Sequence, residues 1–154
     1  MKNKLTPEML AGGKLLRKLM KAFKEKQTPE NLGGFFRALR LSTVIVPVTI
    51  KTEIDGIDPI KSNLNVGSDG QKHVKFTPDK VKDSEGNFYL PVFTSIDQID
   101  KEYASGFKLG EMPFVQCMMM AEKMSGVKGI VIDMNTDSYI ILNQNFSIIR
   151  RLED

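Results

Sequence analysis

Cys117-Met118-Met119-Met120 carries the one thiol of the chain, and a thiol becomes a nucleophile only where a base or cation draws off its proton. The only histidine, His73, belongs to a polar stretch far away in sequence. Cys117 instead falls at helical spacing from Phe114 and Ala121, where Cys and Met serve as adaptable packing. The expectation is a buried thiol. His73 has no second His or Cys to share a metal with, so a zinc site is not expected.

Asp133-x-Asn135-x-Asp137 has the opening spacing of a calcium loop. The sixth position should be Gly and is Ser138, and the twelfth should be Glu and is Gln144. Asn and Asp are also what a tight turn between strands uses, and a turn is the reading taken. Asp97, Asp100 and Glu102 crowd the start of a helix, where carboxylates ordinarily face the helix dipole. For acid–base work they would need a pocket that drives their pKa values apart. If the chain has a ligand pocket, Ser95, Asp133 and Asn135 are the residues expected to line it.

Charge gives the strongest functional candidate. Residues 1–40 hold ten Lys/Arg against three Asp/Glu, a balance of +7, whereas the remaining twelve and sixteen leave −4. Lys14, Arg17, Lys18, Lys21 and Lys24 cover the helix around an apolar stripe of Leu16, Leu19, Met20 and Phe23. Such a face suits an acidic protein, phosphate or an anionic surface, and its alternative is plain solvation. It has no aromatic residue for base stacking.

The elements that position these groups follow from the pattern. Thr6-Pro7-Glu8 and Thr28-Pro29-Glu30 both have an N-cap, a first-turn proline and a first-turn acid, so two helices start there, with Gly12-Gly13 interrupting the first. Val44 to Ile50 is β-branched and reads as a strand; Pro47 cannot donate to a ladder, which suggests an edge or a bulge. Val46 and Pro47 are therefore candidate partner-binding positions, open to β-addition. Residues 52–72 read as a polar loop. Val74, Phe76 and Val81 belong to a second strand, Asp83 to Asn87 to a turn, and Phe88 to Phe93 to a third strand, an antiparallel meander. A helix over 95–104, a short strand at 107–109, and a helix from Pro113 to Met124 ended by Gly126 come next. Gly129 to Asp133 is the candidate central buried strand, Tyr139 to Leu142 pairs back on it, and a short helix closes the chain. The expected fold is a single α/β (α+β) domain in the order ααβββαβαββα. Its helices pack on a mixed five- to six-stranded sheet over residues 29–154, behind a basic helical extension at 1–28.

Three local patterns carry a resemblance: Phe36-Arg37-Ala38-Leu39 before Val46-Pro47-Val48; Leu90-Pro91-Val92-Phe93-Thr94-Ser95; and Gly126-Val127-Lys128-Gly129 leading into Ile130 to Asn135. Together with the element order, over roughly residues 30–152, they resemble the N-terminal domain of the SseB (enhanced serine sensitivity) family of bacterial proteins. Thr136 stands where that family usually has proline after the asparagine. The resemblance implies the fold and no agreed catalytic activity, and the family name records a phenotype.

The function expected is thus a non-enzymatic interaction module that binds another protein, with no cofactor and no metal. Two alternatives are a small-ligand or enzymatic domain, and nucleic-acid or anionic-surface binding through residues 14–40. No apolar run reaches the ~20 residues of a membrane span. The N-terminus lacks the apolar core of a secretory signal, and the lone cysteine suits a reducing compartment, so the location expected is cytoplasmic. Partner identity and oligomeric state are not written in the sequence.

Overall fold

Thr6 and Thr28 do what their positions suggest. Each side chain accepts a backbone N–H three residues on, from Met9 at 3.3 Å and from Asn31 at 3.1 Å, and a proline opens each helix. The computed structural model describes residues 5–52 and 74–152. It begins with α1 (Pro7–Leu10), a 3₁₀ turn (Ala11–Gly13), α2 (Lys14–Glu25) and α3 (Pro29–Leu41). The expected loop over 52–72, apart from Thr52, lies outside the described residues, and so does His73.

The strands are β1 (Thr43–Thr52), β2 (Val74–Pro78), β3 (Val81–Lys82), β4 (Phe88–Val92), β5 (Lys108–Pro113), β6 (Val127–Ile132) and β7 (Tyr139–Leu142). Helices α4 (Lys101–Ala104), α5 (Phe114–Lys123) and α6 (Phe146–Arg151) complete the single α+β domain. Where one sheet was expected, the strands form two. One has the order β2-β1-β5, wholly antiparallel; the other is β3-β4-β6-β7, with β4 and β6 parallel. A two-way bridge between Ile45 and Phe93 joins them. The expected second strand is split at Asp79-Lys80, its first part pairing with β1 and its second with β4. β6 lies between β4 and β7 and is the central buried strand that its apolar run suggests.

The edge assignment for Pro47 is corrected. β1 is the middle strand of its sheet, and Val46 and Pro47 are buried. The proline is tolerated because β1 changes neighbours there. Ile45 is bonded to Phe93, Val48 begins the pairing with β2, and the Pro47 nitrogen falls in the gap between them.

One core gathers nearly every element. Leu16, Met20 and Phe23 of α2 meet Phe35, Phe36 and Leu39 of α3, and Val44, Val46 and Val48 of β1 point the same way. From the other sheet and α5 come Leu90, Val92, Ile130, Ile132, Phe114 and Met118. Phe23 stacks on Phe35 and Tyr139 meets both edge-on, with ring centroids 5.3–6.2 Å apart, tying α2 and α3 to β7. The apolar side of the basic helix is therefore part of the core, which continues without a break from α2 into α3. A satellite cluster of Ile45, Phe93 and Ile99, with Tyr103 and Met134, covers part of the opposite face of β1.

Candidate functional site

Alternation along β1 sets up the site. Thr43 and Ile45 point away from the main core, and the β5 residue facing Ile45 is Glu111. The satellite cluster covers only part of this face. The rest opens into a cleft of about 400 Å³ floored by Ile45, Thr43 and Leu41, with Glu111 at one side. Its walls are the N-terminal turn, Leu10 to Gly12, and the segment Thr94 to Ile96 that follows β4. Ile96 stands at the rim with 65% of its surface exposed, the most exposed large apolar residue among the described residues.

The wall around Thr94 is fixed by a branched set of hydrogen bonds. Arg17 Nη1 donates to Thr94 Oγ1 at 3.0 Å and to Ser95 Oγ at 2.9 Å. The Thr94 hydroxyl in turn donates to Asp133 Oδ2 at 2.8 Å, while Asp133 Oδ1 accepts the Thr94 N–H at 2.8 Å. The Ser95 hydroxyl donates to Asp97. One guanidinium thus holds two hydroxyls, and each hydroxyl holds a carboxylate. Burial pushes the fully enclosed Asp133 carboxyl above its ordinary value, with the bonds from Thr94 and the charge of Arg17 opposing the shift. The bond from Ser95 holds Asp97 below its own.

Gly13 brings the N-terminal turn onto this wall. Gly12 and Gly13 both have φ near +80°, a region glycine enters freely, and a Cβ on Gly13 would lie 2.3 Å from the Thr94 carbonyl oxygen. Further along, Asn135 accepts the Asp100 N–H at 2.9 Å and Thr136 donates to Gln98 at 2.8 Å. The segment 94–100 is therefore pinned along the turn after β6.

The expected site residues separate. Ser95 lines the cleft; Asp133 lies buried behind Thr94; Asn135 is exposed and engaged with Asp100 away from the cleft. Asp137 goes elsewhere again, pairing with Lys24 at 2.5 Å, so Asp133, Asn135 and Asp137 diverge as members of a turn. Asp100 caps α4 by accepting the Tyr103 N–H, and the expected 95–104 helix is broken by the extended, buried Ile99. Cys117 is fully buried, and burial pushes its thiol up to about 12.

The five basic residues also divide. Arg17 and Lys24, seven apart at the border of the buried stripe, are half-buried and bonded across to Thr94, Ser95, Asp137 and the Ser138 carbonyl. Lys14, Lys18 and Lys21 face outward and make no hydrogen bond or ion pair among the described residues. That border position is the signal by which Arg17 was recognisable as a tie rather than a free charge. Among the described residues, no helix is long and apolar enough to cross a membrane.

A family model for the SseB protein N-terminal domain matches residues 16–146. No curated protein and no solved structure matches the chain. The matched range contains Arg17, Thr94, Ser95, Asp97 and Asp133 and most of the cleft, while Leu10, Ala11 and Gly12 precede it. The chain belongs to the SseB family through this N-terminal domain.

Proposed function

We propose that this SseB-family domain is an interaction module that binds another protein through the cleft and performs no chemistry on it. The observation that carries the reading is Ile96, an apolar side chain left in solvent on a segment that hydrogen bonds hold rigid. Exposed apolar surface beside the apolar floor residues Ile45 and Leu41 and the wall residue Leu10 is what partner binding covers. A pinned segment also loses little entropy when a partner arrives. The hydroxyls of Thr94 and Ser95 brace the wall: both accept from Arg17, and each donates its own hydrogen bond to a carboxylate. Lys14, Lys18 and Lys21 add long-range attraction for an acidic partner.

Affinity capture from the producing cell, with the wild type and Ile96→Glu side by side, tests the reading. A stoichiometric partner held by the wild type and lost by the variant is expected. Equal capture by both, or no partner, contradicts it.

A further inference from the structure

Ile45 spends both of its backbone hydrogen bonds on Phe93, at 2.8 and 2.9 Å. On its other side Ile45 faces Glu111, so that pair is a non-hydrogen-bonded pair of the antiparallel ladder. Alternation makes Pro47–Leu109 another. Leu109 and Glu111 therefore turn their N–H and C=O groups away from β1, toward the outer edge of β5. No strand takes them up among the described residues, and Pro113, with no N–H, ends the row.

The side chains of Leu109 and Glu111 are exposed on the sheet face that carries the cleft. Among the described residues, Glu111 is the one ionisable residue in the cleft lining, and its carboxylate makes no hydrogen bond or ion pair there. A second copy of β5 is too small an occupant. Two residues whose backbone groups go unpaired among the described residues cover far less than the roughly 800 Å² per partner of a stable interface. A segment that both pairs with the edge and reaches the cleft covers more.

We infer that β5 accepts an extended strand from the partner, with a lysine or arginine against Glu111 and an apolar side chain two residues away against Leu109. Backbone pairing supplies affinity, and the alternate side chains on the cleft face supply selectivity. This rests on the cleft being the binding surface and narrows the chemistry of what binds there.

The test uses the full chain, immobilised, against a display library of short random peptides. Enriched peptides are synthesised and their Kd measured on the wild type, Leu109→Pro, Leu109→Ala, Glu111→Gln and Ile96→Glu. Leu109→Pro removes an outward N–H and leaves the bonds to β1 intact, so binding should weaken about tenfold or more, with Leu109→Ala close to wild type. Glu111→Gln should weaken binding severalfold and flatten its salt dependence. Peptides without a basic residue, unchanged binding by Leu109→Pro, or no enriched peptide overturns the inference. Loss with Ile96→Glu alone removes strand addition and leaves the cleft reading standing; indifference to both variants removes both. Should Leu109→Pro melt early, hydrogen exchange of the wild type decides: slowed Leu109 and Glu111 amides with peptide bound support pairing, and unchanged ones refute it.

Discussion

Val44, Val46 and Val48 leave β1 on one side, and Thr43 and Ile45 leave it on the other. The valine side is closed over by α2, α3 and α5 into the main core. The Ile45 side is closed only where Phe93, Ile99 and Tyr103 reach it, and the remainder is the cleft. One strand thus presents a saturated face and an open one, separated only by the two-residue period. Burial is greatest on the first face, so the stability cost of substitution is expected there. The exposed rim of the second, at Ile96, is expected to tolerate change. In such a molecule the place to look for function is the side where packing stops short.

The largest break in this contrast is expected from Val46→Asp. It puts a carboxylate into a fully buried apolar site, and a loss of about 4 kcal/mol or more should leave little folded protein by circular dichroism. Gly13→Ala comes next. It combines a left-handed backbone with a Cβ 2.3 Å from a carbonyl oxygen, and a loss of roughly 3 kcal/mol is expected in urea unfolding, with the cleft wall displaced. Asp133→Ala leaves the buried Thr94 N–H without its acceptor and should cost about 2 kcal/mol. Asp133→Asn should cost less, because its carbonyl can still accept that bond.

The Asp133 pair also gives a pH signature. The folded-state pKa of Asp133 is raised, so between the unfolded and folded values the folded chain binds more protons at this group than the unfolded chain does. Its contribution is present below the unfolded value, 3.8, and falls away as pH rises through the raised folded value. The stability advantage of wild type over Asp133→Asn should therefore be larger near about pH 4 than near about pH 7. Asp97 works the other way. Its lowered pKa adds stability that is present above 3.8 and lost as pH falls through the depressed folded value. The smallest stability effect is expected from Ile96→Glu on the open face, within about 0.5 kcal/mol of wild type in the same urea assay.

Much of the framework was legible because it is written in local chemistry. Thr6-Pro7 and Thr28-Pro29 start helices, Asp83 closes its turn by accepting the Glu85 and Asn87 N–H groups, and β6 is central because its residues are apolar on both faces. What escaped depends on long-range geometry. Pro47 argued for an edge, since a proline cannot donate; nothing local says that β1 exchanges one neighbour for another at that residue. Charge left open whether the first helices pack on the domain, and their apolar stripe is buried with everything else. Of the expected pocket residues, Ser95 lies in the cleft, on the segment that leaves β4. Asp133 and Asn135 were recognised as polar residues after a strand, a pattern that fits bracing as well as lining. The edge that β5 leaves unpaired among the described residues was invisible, for six mixed residues carry no sign of their neighbours.

The most direct measurement of the contrast between the two faces is a crossed one, in which Val46→Ala and Ile96→Ala are each assayed for melting temperature and for capture of the partner. Val46→Ala is expected to melt about 4–8 °C early and still to capture when held well below its transition. Ile96→Ala is expected to melt with the wild type and to capture several times less. If the two properties move together in both variants, the faces are not separate and the cleft has no role of its own.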